Sequence, residues 1–142
     1  MSMTESKTRT ALGLFLVVSH FAVLLLTITL HFYGGFTFDE MTTAVAIITP
    51  MFASFTTVVV SHVIAERSEV RASGKVSGAF AFLSFFFPVL FVGFLVAVIL
   101  LRAFNLAIEN FEHFKVLLAL GETAFAVYIG QFIRSLFKQA TQ

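Results

Sequence analysis

One carboxylate, Glu122, stands inside the apolar stretch 114–137, with small residues around it. At 1.5 Å per residue it falls about 12 Å from the outer end of that stretch. An ionised side chain at such depth costs on the order of 2.5–3.5 kcal/mol even on the mildest insertion scale. Glu122 should therefore face protein or trapped water. The row four apart from it, Ala126, Gly130 and Arg134, begins with two small residues. Such rows let helix backbones approach closely, so Ala126 and Gly130 read as helix-packing positions. The chemistry on offer is an ion or proton site, or a pore-lining charge. The competing reading is a structural carboxylate, kept neutral or bonded to a neighbouring helix.

His20 is the natural partner. Counted from Arg9 it lies about 15 Å from the opposite boundary, which matches Glu122 in depth across about 30 Å of hydrocarbon. If the first and last helices are adjacent, as they often are in a four-helix bundle, the two can pair. His20, Leu24, Thr27 and His31 share one helical face and give this segment a polar stripe. The bland alternative is a neutral imidazole bonded to a backbone carbonyl or to Thr. His62 and His113 fall near opposite surfaces and read as interfacial.

A second stripe runs through Ala46, Pro50, Ser54, Thr57 and Ser61, with Thr49 and Ala53 beside it. Pro50 frees the carbonyl near Ala46. The stripe either lines a hydrated path or forms a close helix–helix seam, the commoner fate of Ser, Thr and Ala in membranes. The pore or ion-site set is thus Glu122, His20, Thr27, His31, Ser54, Thr57 and Ser61. The packing set is Ala126, Gly130, Pro50 and Ala46. A charged run holding Glu66, Arg67, Glu69 and Arg71 forms no clean opposite-sign i, i+4 pairs. It is a contact for a cytoplasmic ligand or protein, or a solvated loop that fixes topology.

The elements that must position these residues follow from composition. Hydrophobic residues make up 58 % of the 142 and charged residues 12 %, against roughly 45–50 % and 25 % in soluble domains. The solvent is lipid. Apolar stretches at about 11–32, 41–63, 78–101 and 114–137 each approach the roughly 20 residues needed to span. Lipid offers backbone groups no partner, so each stretch is predicted to be helical. The fold class expected is an all-α membrane protein, a single four-transmembrane-helix bundle over residues 1–142 with no soluble domain. The first stretch is too long for a cleavable signal and lacks its cleavage site, so it reads as a retained span. Phe80, Phe82, Phe85, Phe86, Phe87, Phe91 and Phe94 surround one hydroxyl, Ser84, and the kink residue Pro88. That third span is expected to sit against lipid, with a gate that closes by dewetting as the sharper alternative.

Turn residues punctuate the spans: Gly34-Gly35 with Asp39, then Ser73-Gly74, then Asn105 and Asn110. Seven of the nine Lys and Arg (Lys7, Arg9, Arg67, Arg71, Lys75, Arg134, Lys138) fall on one side, and Arg102 and Lys115 on the other. The positive-inside rule then predicts cytoplasmic N and C termini. Twenty Phe and no Trp leave Tyr33, Tyr128 and some Phe as interface anchors. The absence of Cys removes thiolate metal sites and cysteine catalysis, and a net charge of +1 gives no nucleic-acid footprint.

The string Gly121-Glu122-Thr123-Ala124-Phe125-Ala126-Val127-Tyr128, with a Glu in the fourth of four spans, is similar to the proteolipid subunits of rotary ATPases over about one helix. Those helices are Gly-rich for very tight ring packing, whereas this chain has eight Gly and none in span two. Small multidrug exporters share the four spans but carry their carboxylate in the first, where this chain has His20. The chain is assigned to neither family.

The leading expectation is a homo-oligomeric membrane pore or ion channel, set in a bacterial inner membrane as a gated effector of defence or toxin-like type. A single four-helix interior is filled by side chains, so a conducting path belongs on an axis shared by several copies. The alternatives are an accessory or assembly subunit of a larger membrane complex, and a small proton-coupled transporter using Glu122. No metalloprotease, P-loop or nucleophile-elbow motif is present. No enzyme activity, cofactor or metal is expected.

Overall fold

The computed structural model describes the backbone of residues 5–66 and 78–137 and the side chains of 10–57, 82 and 84–130. Four helices make up the described residues: α1 (Glu5–Phe32), α2 (Phe38–Glu66), α3 (Gly78–Ala103) and α4 (Phe111–Phe137). Each apolar stretch of the sequence lies inside one of them. Three carry segments long and apolar enough to cross a membrane, at Thr10–Phe32, Ser84–Ala103 and Phe111–Gly130, which marks an integral membrane protein. The side chains of α2 are described only as far as Thr57, and that part holds none of the three segments.

Both tight connections use the same device. Gly34 adopts φ 79° and Asn105 φ 51°, the left-handed conformation that ends a helix. The N–H of Gly35 donates to Leu30 O at 2.9 Å and that of Leu106 to Leu101 O at 3.0 Å, while Gly34 and Asn105 donate to His31 and Arg102. These are Schellman closures, which satisfy carbonyls the helix end would leave open. α2 then begins with a capping box. Thr37 Oγ1 accepts the N–H of Glu40 at 3.3 Å, and Glu40 Oε2 accepts that of Thr37 at 2.9 Å. At α4, Asn110 Oδ1 accepts the N–H of Glu112 at 2.8 Å.

Helices α1 and α2 form one hairpin and α3 and α4 another, with α1 lying on α3 and α2 on α4. This order places α1 and α4 across the bundle diagonal, not side by side as expected. The reason is local: short connections fix which helices form a hairpin and say nothing about how two hairpins stack. Leu12, Leu16, His20, Val23, Thr27 and Leu30 of α1 face inward, as do Phe114, Leu118, Glu122, Phe125 and Ile129 of α4. α3 is not merely a lipid-facing wall. Phe82, Phe86, Phe87 and Phe94 are exposed, yet Ser84, Pro88, Phe91, Leu95 and Ile99 are buried at i+4 and i+3 intervals.

At the end of the bundle that holds both tight connections, the two hairpins touch. A Cβ on Gly35 would come within 2.9 Å of Ala103 Cβ, 3.2 Å of Leu30 O and 3.3 Å of Ala103 O. Neither backbone can swing away, whereas Gly130 has open space around it. Gly35→Ala should therefore lower stability by roughly 1–3 kcal/mol, the scale of overpacking, and Gly130→Ala should not. Thermal unfolding in detergent, followed by circular dichroism, reads the contrast.

Beside Gly35, the Arg102 guanidinium pairs with Glu40 of α2 and with Asn105, and lies 5.9 Å from the centre of the Phe111 ring. The Glu40 and Arg102 side chains are 15 % and 12 % exposed. Burial pushes the Glu40 carboxyl up, but the Thr37 N–H and Arg102 together outweigh it and hold the group below its usual range. A carboxyl held low contributes stability that is complete above its unfolded value and is lost as pH falls through the lower folded one. Acid titration of unfolding should show that loss, and Arg102→Ala should flatten it.

Candidate functional site

Midway along the bundle, the side chain that α1 turns inward after Leu16 is an imidazole. His20 is fully buried, and its Nδ1 lies 2.9 Å from Leu16 O, one turn back on its own helix. Its ring meets Phe55 of α2 edge-on at 4.9 Å, Phe91 of α3 in a stack at 5.7 Å and Phe125 of α4 at 6.3 Å. Phe91 and Phe125 stack on each other at 3.8 Å, and Phe55 closes on Phe125 at 5.6 Å. Each helix thus contributes one ring to a single layer across the core. Aromatic packing of this kind adds about 0.5–1.5 kcal/mol per pair beyond burial.

Glu122 sits one turn before Phe125 on the same inward face and is 6 % exposed. Neither of its carboxyl oxygens has a hydrogen-bond partner, and neither does His20 Nε2. No ion pair or hydrogen bond joins the two residues. Thr27, also fully buried, donates its hydroxyl to Val23 O at 2.9 Å and is satisfied within its own helix. Between α3 and α4 the exposed edge of Phe94 lies directly on Gly121, the residue before Glu122. Any larger residue there would push that ring outward.

The sequence-derived set is therefore split. His20, Thr27 and Glu122 are each buried inside the bundle. His31 does not join them; its Nδ1 lies 2.9 Å from Phe36 O and ties down the first connection. Ser54 and Thr57 face the outside of α2 and donate to Pro50 O and Ala53 O, each at 2.9 Å. Ala46 and Pro50 share that outer face, and Ala126 and Gly130 are likewise exposed on α4, so none of the four makes a seam within one chain. The backbones of Ser61 and Glu66 belong to α2 but their side chains lie outside the described residues, as do Arg67, Glu69 and Arg71 altogether.

Two features of the site were not read from sequence. The aromatic layer could not be picked from twenty Phe without knowing which ones meet. The Arg102–Glu40 pair joins residues 62 apart, although Thr37-x-x-Glu40 itself carries the legible spacing of a capping box. Comparison with protein-family models, curated proteins and solved structures finds no match to this chain, so its function is argued from the geometry above.

Proposed function

We propose that the protein moves a proton or small cation across a membrane, using an interior site built on Glu122 and His20. The supporting observation is three buried polar atoms, Glu122 Oε1 and Oε2 and His20 Nε2, that lack any partner inside an apolar bundle. Each unsatisfied buried group costs about 1–3 kcal/mol, and polar side chains at membrane depth mark ion and proton pathways by default. The working unit in this reading has four spans and cytoplasmic termini. α2 lies alongside α1 and α4 and so occupies their depth, and seven of nine Lys and Arg fall on one side. Purified protein in vesicles should dissipate an imposed ion or pH gradient. Silence across voltage, pH and monovalent cations rejects the reading.

A second reading, the homo-oligomeric pore, is favoured by a different observation. The outward faces of α1 and α3 carry bulky apolar groups such as Leu14, Val18, Phe86 and Leu90. That of α2 carries small or hydroxyl residues, among them Ala46, Ser54 and Thr57, while that of α4 mixes Thr123 and Ala126 with Val116, Leu120 and Val127. Copies joined along the α2 face would place hydroxyls on a shared axis. A bacterial inner membrane, with gating by a cytoplasmic ligand or protein at Glu66–Arg71, belongs to this version. Native mass measurement separates the cases: a multiple of 15.7 kDa supports the pore, and a second polypeptide supports an accessory subunit.

A further inference from the structure

The hydrogen bond to Leu16 fixes the chemistry of His20. A carbonyl oxygen only accepts, so the neutral ring must carry its hydrogen on Nδ1, the atom 2.9 Å from Leu16 O. That leaves Nε2 as a bare lone pair, buried and unpartnered: a base without a proton. Glu122 supplies the complement. A carboxyl with no partner on either oxygen, inside hydrocarbon, is at its lowest energy with a proton on it. An acid and a base therefore stand within one core, each lacking what the other offers.

We infer that Glu122 and His20 are the donor and acceptor of one intramembrane proton relay, bridged by water. The inference rests on the translocation reading and narrows its cargo to the proton. In the forward step a Glu122 O–H bond breaks and a proton from the water reaches Nε2, which supplies the electron pair. The water regains the proton Glu122 released. The products are a carboxylate and an imidazolium, with no net change of charge. The imidazolium lies among the rings of Phe55, Phe91 and Phe125, whose faces attract cations, and the carboxylate attracts it across a low-dielectric interior.

Among the described residues no other charged or titratable group hydrogen-bonds the Glu122 carboxyl or His20 Nε2. On α1, His31 is held at Phe36 O. α2 presents Ile48, Met51 and Phe55, and α3 presents Phe91 and Leu95, with Arg102 tied to Glu40 at the end that holds both tight connections. α4 adds Tyr128, stacked on Phe125 at 5.9 Å, and Lys115, 2.7 Å from Glu112.

The test uses the full chain in phosphatidylcholine vesicles, ¹⁵N-labelled at histidine, with His20 assigned as the signal missing from His20→Gln. Solid-state NMR at neutral pH should show hydrogen on Nδ1 and a bare Nε2; hydrogen on Nε2 instead overturns the relay. Proton flux should fall on the order of a hundredfold in Glu122→Gln and in His20→Gln, the lower range for a lost proton-transfer group. The double variant should be no slower than the slower single, and Glu122→Asp should keep part of the flux. Variants that carry protons at the wild-type rate overturn the relay, as does a wild type that carries other cations but not protons, which leaves translocation standing. A wild type that carries nothing removes the translocation reading, and the ring then decides. If Nε2 takes up its proton at the same acidity in Glu122→Gln as in wild type, the two residues are uncoupled and the relay is wrong.

Discussion

Glu122→Leu is expected to raise the unfolding temperature of the protein and abolish the proposed transport in the same molecule. The sign of the stability change follows from the site. Glu122 is buried with both oxygens unpartnered, and removing a buried unsatisfied group returns about 1–3 kcal/mol. Leu has similar volume and suits the surroundings, since Leu118, Phe125 and Ile129 continue the same inward face. Replacement of buried ionisable groups by apolar ones of like size is commonly neutral or stabilising. Glu122→Gln keeps the shape and two polar atoms but holds no exchangeable acid, so it should leave stability nearly unchanged while the proposed proton flux falls on the order of a hundredfold. Opposite movements of stability and activity characterise a residue kept for function. Denaturant titration by circular dichroism, paired with vesicle flux, measures both. A Leu variant that unfolds more easily would show that Glu122 has a structural partner in the assembled protein, and the site would lose its functional claim.

The helices were legible because lipid leaves a chain few choices: long apolar stretches must be helical, and four helices appear where the composition places them, three of them carrying segments long and apolar enough to span. The inward aim of Glu122 was legible for the same energetic reason. His20 and Thr27 share a face at helical spacing, and that face does point inward. Spacing alone could not extend the stripe to His31, because the ring there finds Phe36 O, a carbonyl supplied by a connection with no periodicity. Nor could spacing say which way the small stripe of α2 faces. Ala46, Pro50, Ser54 and Thr57 do share one side, yet α2 is apolar on most of its circumference. Its core side is set by Ala44, Ile48 and Phe55. Hydroxyls that bond their own helix at i−4 need no neighbour and so give no signal of orientation. The diagonal placement of α1 and α4 was hidden for a related reason, since it depends on how two hairpins fit and on no single residue.

Removal of the Phe125 ring should have the largest structural effect of any single truncation near the site. Phe125 is 4 % exposed and meets His20, Phe55, Phe91 and Tyr128, so it is the hub of the aromatic layer. Phe→Ala in a packed core costs about 3–5 kcal/mol through lost contacts and the cavity left behind. The hole in Phe125→Ala would also be unusual in its lining. His20 Nε2 and the two Glu122 oxygens, all without partners, lie on or beside it, and a cavity admits water when it offers polar partners in sufficient number. Water there would bridge acid and base permanently, while the ring stack that separates the two halves of the bundle would be broken. The expected phenotype is therefore a leak: lower unfolding temperature, together with ion flux less dependent on the imposed gradient than in wild type. Phe125→Leu, which keeps most of the volume, should recover much of the stability and the tight gradient dependence. Measured side by side, the two variants separate filling from aromaticity. If Phe125→Ala is destabilised yet remains as tight as wild type, the aromatic layer is only a packing element and the barrier to ions lies elsewhere along the helices.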